Sequence, residues 1–221
     1  MPHQNNKYMK SKIADIRQDY SKKALEESDV LEQPIQQFEI WLEEAIKAEV
    51  MEPTAVNVAT VSKEGAISSR TVLLKGVEDD AFVFYTNYNS RKGQALQDTK
   101  KVAMNFFWPE LERQVCIEGT VEKVSEEVSD TYFASRPYKS KVGAWASEQS
   151  SKISSKNVIV TRFAKYAAKF ITKVPRPPHW GGFAVKPTRI EFWQGRPSRL
   201  HDRIQYELNE QGIWERSRLA P

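Results

Sequence analysis

Residues 54–86 read TAVNVATVSKEGAISSRTVLLKGVEDDAFVFYT, and this stretch decides the fold class. Three runs rich in β-branched and aromatic residues are separated by two turn signals, Lys63-Glu64-Gly65 and Glu78-Asp79-Asp80. Such short connections join antiparallel neighbours, because parallel strands need a long crossover. The stretch therefore predicts an antiparallel meander of three strands.

Further strand patterns follow on both sides of the middle of the chain. Residues 101–108 read KVAMNFFW, and residues 112–124 read ERQVCIEGTVEKV with Val115, Ile117 and Val121 on one face. The last third returns to strands in RIEFWQG, RIQYEL and GIWERSRL, over residues 189–195, 203–208 and 212–219.

Helices are predicted around these strands. Pro34 opens an amphipathic helix over residues 34–50, and Ser125 is the N-cap of a helix that must end near Arg136, because Pro137 follows. Other helical patterns cover residues 90–98, 157–174 and a short segment from about residue 140. Strands first and last with helices between them predict an α+β domain around an antiparallel barrel.

Length and composition indicate one globular domain. With 221 residues and 40% hydrophobic content, the chain can bury a sizeable core. We expect residues 1–16 to be a mobile polar tail and residues 17–221 to form a single domain. The one cysteine, Cys116, lies in an apolar run and is interpreted as a small core residue. Without disulfides, a leader-like start or a membrane span, a cytoplasmic location is favoured.

Charge and motifs narrow the ligand class. A net charge of +4 favours anionic partners, but the basic residues are interleaved with acids and form no nucleic-acid-binding stripe. Neither GxGxxG nor GxxxxGK[ST] occurs, so any phosphate must be held by side chains. Three histidines and one cysteine argue against a structural metal site, and we expect none.

The first candidate cluster lies in and after the predicted meander. It brings four cations and two hydroxyls to neighbouring strands, which could hold a phosphate monoester: Arg70, Lys75, Arg91, Lys92, Tyr85 and Thr86. Strand alternation sends Arg70 and Lys75 to opposite faces unless a bulge intervenes, so the two cations could serve different ligands or subunits. The alternative is that each cation is a solvated surface residue.

The second cluster is Tyr132, Arg136 and Ser140. Tyr132 and Arg136 share one helical face, and Ser140 could begin the next helix, where free N–H groups favour an anion. In the alternative, Tyr132 packs, Arg136 faces water and Ser140 is a helix cap.

The third cluster lies in residues 190–203, IEFWQGRPSRLHDR. If this segment is a strand, alternation places Arg199, His201 and Arg203 on one face. Three potential cations in a row repel one another unless an anion or an electron-rich ring lies opposite.

This last segment resembles the signature of the pyridoxamine 5'-phosphate oxidase family, because it combines EFWQ, RLH and DR at fixed spacing. The blocks RTVLLKG, FYTN, SRKG, LERQV, YFASRP, GAWASEQSS and WGGF resemble other blocks of that family, in the expected order. The resemblance runs from about Arg17 to the terminal RLAP. It implies an FMN-binding split β-barrel with peripheral helices, and a homodimer that holds one FMN at each of two interface sites.

The resemblance also implies a role for each candidate residue. The FMN-binding set would be Arg70, Lys75, Tyr85, Thr86, Arg91, Lys92, Gln114, Gln149, Ser150, Trp193 and Arg203, some of them from the neighbouring subunit. The substrate phosphate would be held by Lys75, Tyr132, Arg136 and Ser140. Arg199 and His201 would be the catalytic pair beside the substrate ring, and Arg17 and Tyr20 an N-terminal lid that also contacts the substrate.

The implied reaction is the oxidation of pyridoxamine or pyridoxine 5'-phosphate to pyridoxal 5'-phosphate. Molecular oxygen would accept the electrons and leave as hydrogen peroxide, and the amine would release ammonia. Two other functions stay open on sequence grounds. One is a non-catalytic flavin- or pyridoxal-phosphate-binding protein on the same barrel, and the other is a basic nucleic-acid-binding barrel, for which NFFWPELER is a weak signal.

Overall fold

The computed structural model describes Tyr20 and residues 24–221. Nine strands form one antiparallel sheet: β1 Ala55–Val61, β2 Ile67–Leu73, β3 Gly76–Glu78, β4 Ala81–Asn87, β5 Lys101–Trp108, β6 Arg113–Lys123, β7 Trp180–Gln194, β8 Asp202–Leu208 and β9 Trp214–Arg218. Within the described residues, five α-helices surround it: α1 Pro34–Lys47, α2 Arg91–Thr99, α3 Glu126–Ser135, α4 Tyr138–Ala146 and α5 Lys156–Lys169.

The strand order is β2-β1-β5-β6-β7-β4-β3, with β8 on β7 and β9 on β8. Strand β7 makes the sheet branch. Its first part, Trp180–Val185, pairs with β4, its last part, Arg189–Gln194, pairs with β8, and β6 pairs with it from Phe183 to Gln194. A β-bulge at Glu118/Gly119 lets the long β6–β7 pair bend. The result is the antiparallel split barrel with peripheral helices that the sequence led us to expect.

The meander predicted over residues 54–86 is partly wrong. Its two hairpins, β1–β2 and β3–β4, are confirmed, and so are both turns. However, the stretch holds four strands, and β2 and β3 lie at opposite ends of the strand order. The chain changes partner at two residues: the Leu74 N–H bonds the Thr54 carbonyl, and the Lys75 N–H bonds the Val83 carbonyl.

Strand β7 begins nine residues before the predicted strand over residues 189–195. The segment WGGFAVKPT has two glycines and a proline, which argue against a strand. In the structure Gly119 faces Pro187 at the bulge, where a Cβ on Gly119 would lie 2.1 Å from the Lys186 carbonyl oxygen. The bulge therefore accommodates a proline inside a central strand.

The main core lies between α1 and the inner face of the sheet. The Phe38 ring packs 4.8 Å from Phe82 and 4.9 Å from Phe106, and Trp41 packs 5.1 Å from Phe192. Burial of each such ring stabilises the fold by about 1.5–3 kcal/mol. A smaller apolar cluster, Phe133, Val142, Val174 and Trp180, joins α3 and α4 to the start of β7. These two clusters fix the helices that carry the candidate site.

A buried ion pair closes the other end of α1. The Arg113 guanidinium pairs with the Glu44 carboxylate, donates to Gln194 Oε1 at 2.9 Å, and lies 4.2 Å from the Trp41 ring centre. Cys116, three strand positions further along, was expected in the core, and this is wrong. Alternation points Val115 and Ile117 inward, so Cys116 lies half-buried on the outer face, 3.1 Å from Asn105 Nδ2.

Among the described residues, no helix is long and apolar enough to cross a membrane.

Candidate functional site

A cavity of about 510 Å³ lies between β2, β4, α3 and α4. Eight of the residues predicted for the site line it: Lys75, Tyr85, Thr86, Lys92, Tyr132, Arg136, Ser140 and Gln149. A second cavity of about 380 Å³ is lined by Arg91 and Ser150, and it shares Asn87 and Gln149 with the first. The fold thus brings the first two predicted clusters together.

Three cations gather at the start of α2. Ser90 caps this helix by accepting from the Gly93 N–H at 3.2 Å, which places Arg91 and Lys92 in the first turn. Arg70 donates to the Val58 carbonyl at 3.0 Å and to the hydroxyls of Thr60 and Ser68. No carboxylate of the described chain pairs with any of the three. These three cations therefore form a site that can bind an anion.

Burial makes this site costly without an anion. Lys92 is only 7% exposed, and burial, with the charge of Arg70, lowers its pKa to about 8. Burial also lowers the pKa of Arg70, as does the neighbouring Arg91 to a smaller degree. A phosphate dianion would remove this penalty by neutralising the cations.

Arg70 and Lys75 do lie on opposite faces, as the alternation predicted. Lys75 lines the larger cavity, whereas Arg70 points inward beside Val58. The expected side-by-side arrangement of strands β2 and β4 is wrong, because β4 pairs with β7. The cations of α2 reach Arg70 because α2 packs on β1.

A stack of three aromatic rings forms one wall of the larger cavity. Tyr85 lies 3.9 Å from Tyr132 and 5.4 Å from Trp180, with all three rings nearly parallel. Burial, and to a lesser degree the Glu78 charge, raises the pKa of Tyr85 to about 12, and burial raises the pKa of Tyr132. Both phenols therefore stay neutral and can donate hydrogen bonds.

Arg136 completes this wall. Its guanidinium lies 4.6 Å from the Trp180 ring centre, and its Nη1 atom is buried without a hydrogen-bond partner. Burial lowers its pKa. A buried donor without a partner costs about 1–3 kcal/mol, so an acceptor atom of a ligand fits here. The alternative in which Arg136 only faces water is wrong.

Ser140 lies on the exposed rim of the cavity, in the first turn of α4. Ser140 thus lies at the start of the helix, as predicted, but Pro137 is the N-cap, so the alternative in which Ser140 is the cap is wrong. Its N–H already bonds the Pro137 carbonyl at 2.9 Å. The hydroxyl group is what Ser140 can offer to a ligand.

The third cluster lies at the other end of β7. A row of side chains crosses β5, β6, β7 and β8 on the outer face, with Phe107 opposite Gln114, Gln114 opposite Trp193, and Trp193 opposite Arg203. Phe107 is 55% exposed. Three of the four residues in this row are predicted FMN ligands.

The predicted strand through Arg199 and His201 is wrong. Residues 197–199 form a short 3-10 turn, Ser198 and Arg199 have φ values of 57° and 62°, and β8 begins only at Asp202. Arg199 is exposed on this loop. His201 instead packs 4.7 Å from Trp193, and its Nδ1 accepts the Arg196 N–H at 3.1 Å.

Two other predicted residues are placed at this end. The Tyr20 ring lies 5.7 Å from both Trp193 and His201. Arg203 forms a two-bond ion pair with Glu191, at 2.8 and 2.9 Å, which raises its pKa, and it donates to the Ala220 carbonyl. Arg17 lies outside the described residues.

The two ends of the site are far apart within one chain. Tyr85 pairs with Gly182 and Gln114 pairs with Trp193, eleven residues further along β7. At ~3.3 Å per residue, this is about 35 Å of strand. Within one chain, the predicted site residues thus fall into two groups at opposite ends of β7, and each group is called a half-site below.

Sequence reasoning missed Trp180 and His179. Trp180 forms part of the ring stack, and His179 lines the smaller cavity with its Nε2 3.2 Å from the Ala144 carbonyl. His179 and Trp180 directly precede Gly181 and Gly182. A Cβ on Gly182 would lie 2.8 Å from the Tyr85 ring, so this glycine leaves room for the ring. An aromatic residue directly before two glycines was the sequence signal that could have identified this part of the site.

Comparisons with known proteins agree with this geometry. The family model described as pyridoxamine 5'-phosphate oxidase matches residues 42–170, and the one described as the pyridoxine 5'-phosphate oxidase C-terminal dimerisation region matches residues 180–221. Proteins named pyridoxine/pyridoxamine 5'-phosphate oxidase are similar over nearly their whole length. The one from Chromobacterium violaceum is 63% identical over 96% of this chain and 100% of its own, and the one from Actinobacillus succinogenes is 60% identical over 95% and 99%.

Solved structures are similar too. PhzG from Burkholderia lata 383, in complex with tetrahydrophenazine-1-carboxylic acid, has a TM-score of 0.86 at 29% identity and covers 92% of this chain and 100% of its own. A pyridoxamine 5'-phosphate oxidase-related, FMN-binding protein from Nostoc punctiforme shares the fold, with a TM-score of 0.68 at 15% identity over 86% of this chain and 98% of its own. By the family-model match and the near full-length similarity, the chain belongs to the pyridoxamine 5'-phosphate oxidase family.

Proposed function

We propose that this protein is an FMN-dependent oxidase that converts pyridoxamine or pyridoxine 5'-phosphate to pyridoxal 5'-phosphate. The observation that carries the proposal is the presence of two anion-seeking groups beside two adjoining cavities: the cations Arg91 and Lys92 with Arg70 next to them, and the partnerless Nη1 atom of Arg136. A flavin phosphate and a substrate phosphate supply one anion for each group. The names of the similar proteins support the same substrates.

The chain's residues fit FMN at the first group. Arg70, Arg91 and Lys92 offer cations, the smaller cavity adds the hydroxyl of Ser150, and Gln149 is held by a 3.3 Å hydrogen bond from Thr86 Oγ1. When bound, FMN accepts a hydride from the 4'-carbon of the substrate and passes the electrons to molecular oxygen, which leaves as hydrogen peroxide.

Arg136 and its neighbours would hold the substrate phosphate. Lys75 and Arg136 supply positive charge, and the Tyr132 phenol and the Ser140 hydroxyl donate hydrogen bonds. The Tyr132 phenol remains a donor throughout the physiological pH range because its pKa is raised. Binding of the phosphate, away from the reacting carbon, would hold the substrate ring in place. It would thereby reduce the entropy lost on reaching the transition state.

A second copy of the chain would complete each site. The residues predicted to face the substrate ring, Arg199 and His201, follow the end of β7 at Gln194, whereas the cavity with Arg136 lies beside Trp180 at the start of that strand in the same protomer. In a two-fold dimer, the outer face that carries Gln114 and Trp193 can meet the cavity of the other copy. The match of residues 180–221 to a dimerisation region supports this arrangement.

Arg199 would act from the other copy on the reacting ring. The Arg199 side chain is exposed and projects from a loop in which Ser198 and Arg199 have positive φ. It can therefore extend toward a second copy of the chain. Its guanidinium would lie over the other face of the substrate ring and help to hold the ring against the flavin while the hydride leaves. His201, held between Trp193 and the Arg196 N–H, would orient the substrate. For the amine, water then releases ammonia.

A non-catalytic binding protein is a weaker alternative, because it needs no second anion group. A substrate like the carboxylic acid bound by the PhzG protein is another, since one carboxylate would satisfy Arg136. Lys75, Tyr132 and Ser140 around Arg136 favour a phosphate, which offers more acceptor oxygens than a carboxylate.

Anaerobic titration tests the proposal. The protein loaded with FMN should lose its oxidised-flavin absorbance when pyridoxine 5'-phosphate is added, and admission of air should yield pyridoxal 5'-phosphate and hydrogen peroxide in equal amounts. Unphosphorylated pyridoxine is the matched control and should bleach the flavin only at far higher concentration. Bound flavin that no phosphorylated vitamer bleaches would support the non-catalytic alternative. Equal bleaching by both alcohols would contradict the phosphate site.

A further inference from the structure

The side chain of Asp202 joins three separate parts of the chain beside the third cluster. Its Oδ2 accepts the Leu25 N–H at 3.0 Å and lies 3.4 Å from Arg196 Nε, and its Oδ1 accepts from Arg218 Nη1 at 3.1 Å. The Asp202 side chain is only 16% exposed. A half-enclosed carboxylate with all these partners is a structural junction, not a solvated surface charge.

Arg218 extends the junction to the N-terminal segment. Its Nη2 donates to the Leu25 carbonyl at 3.2 Å and to Glu26 at 3.1 Å, and its Nε lies 3.4 Å from Glu27. Both backbone polar groups of Leu25 are therefore held by the Asp202–Arg218 pair. The Leu25 side chain is buried in the core, which anchors the same residue from the other side.

This anchored point is five residues after Tyr20 in the sequence. The Tyr20 ring lies against Gly195, where a Cβ would be 2.7 Å from the ring. Tyr20 also contacts Trp193 and His201. The place of Tyr20 over the third cluster thus depends on where the chain is fixed at Leu25.

Asp202 holds the loop between β7 and β8 as well. Arg196 is fixed through its side chain by Asp202 and through its N–H by His201 Nδ1. The loop contains two residues with positive φ, Ser198 and Arg199, a conformation that a non-glycine residue holds only under constraint from its surroundings. Asp202 begins β8, directly after His201, and its contact with Arg196 ties the start of this loop to its end.

We propose that Asp202 is a positioning residue for the reaction, whose carboxylate sets the places of Tyr20, Arg199 and His201 together by tying the N-terminal segment and the β7–β8 loop to the start of β8. The inference rests on the proposed function for its kinetic consequence. The junction itself stands on the contacts alone, and it can be measured without any substrate.

The test compares Asp202→Asn with Glu122→Gln, both as FMN-loaded full-length protein. Glu122 pairs with Lys186 at 2.7 Å on an exposed part of β6 and β7, so the control loses a carboxylate in an ion pair away from the loop. The first measurement is hydrogen exchange of the Leu25 amide. It should quicken about tenfold or more in Asp202→Asn, as expected for a locally opened segment, and stay unchanged in Glu122→Gln.

The second measurement is steady-state oxidation of pyridoxine 5'-phosphate. Asp202→Asn should raise KM and lower kcat/KM by about tenfold with its FMN content unchanged, because misplaced contact groups lose orientation. Unchanged Leu25 exchange overturns the junction. Faster exchange with unchanged kinetics overturns the positioning role. If the wild-type protein oxidises no vitamer, the proposed function fails while the exchange result still decides the junction.

Arg218→Gln provides a second variant in case Asp202→Asn does not fold. It removes the hydrogen bond that Arg218 donates to the Leu25 carbonyl. The contacts of Asp202 with the Leu25 N–H and with Arg196 remain. Leu25 exchange should again quicken and KM should rise, each by less than in Asp202→Asn. Wild-type values of both in Arg218→Gln would overturn the proposal.

Discussion

Lys92 gives the most specific prediction. Its buried charge should lower the free energy of unfolding of the FMN-free protein and raise the affinity for FMN. A pKa lowered from 10.5 to about 8 corresponds to roughly 3 kcal/mol of disfavoured charge. Lys92→Met removes that charge from a buried position. We therefore expect the FMN-free variant to be about 2–3 kcal/mol more stable than the FMN-free wild type at pH 7, and to bind FMN at least about tenfold more weakly.

In the wild type, the free energy of unfolding and the affinity for FMN should change in opposite directions as the pH rises above 8. Below pH 8 both the folded FMN-free protein and the unfolded chain keep the Lys92 proton, so the penalty is complete. Between about 8 and 10.5 only the unfolded chain keeps it, so the free energy of unfolding rises with pH. FMN affinity should instead fall about tenfold per pH unit above 8, since the phosphate needs the charged lysine.

Denaturant unfolding at fixed protomer concentration measures the stability, and quenching of flavin fluorescence measures the affinity, each from pH 7 to 10. Lys47→Met is the matched control, because Lys47 is exposed and its pair with Glu43 contributes only about 0.3–0.5 kcal/mol. A less stable Lys92→Met protein at pH 7 together with unchanged FMN affinity would refute the reasoning.

Three other substitutions test separate parts of the site and fold. Arg136→Ala should weaken binding of the phosphorylated substrate by roughly 1.5–3 kcal/mol while FMN stays bound; loss of flavin, or unchanged substrate affinity measured by titration, would contradict this. Arg199→Ala should slow flavin reduction in anaerobic stopped flow at saturating substrate, and His201→Ala should slow it less; complete loss of reduction only in His201→Ala would reverse the two roles. Glu44→Gln should lower the free energy of unfolding by about 2 kcal/mol because it leaves the Arg113 charge buried, whereas Glu43→Gln at an exposed pair should change it by under about 1 kcal/mol, both by denaturant unfolding.

The elements were predictable wherever local pattern and local chemistry agree. Ser90 and Ser125 do cap their helices, Pro34 does open α1, and Val115, Ile117 and Val121 do share the buried face of β6. Each of these features is decided by residues within a few positions. The sequence thus predicts them without knowledge of the tertiary fold.

Features set by distant partners were not predictable. The change of partner at Leu74 and Lys75 follows from β4 pairing with β7, about a hundred residues later in the chain. Next to the turn at Arg199, which replaces a predicted strand, the Tyr20 ring lies against Gly195 although the two are about 175 residues apart in the chain. Alternation alone had placed Arg199, His201 and Arg203 together, and it could not detect this contact.

The sequence predicted which residues belong to the site. It did not predict that these residues lie in two separate groups within one chain. Nothing in the spacing of Arg136 and Arg199 indicates that β7 separates them. That division makes a second copy of the chain the central requirement of the proposed mechanism, since neither half-site alone offers both a phosphate grip and a group beside the reacting ring.

Mixed dimers test that requirement most directly. Arg136→Ala and Arg199→Ala, each expected to have a lower kcat/KM than the wild type, are unfolded together, refolded with FMN and assayed for oxidation of pyridoxine 5'-phosphate at a concentration far below the wild-type KM. If each site takes Arg136 from one copy and Arg199 from the other, half the dimers carry one intact site, and the mixture should regain about a quarter of wild-type activity. Refolding each variant separately is the control. A mixture no more active than its two components, although mass spectrometry shows mixed dimers, would contradict the shared site.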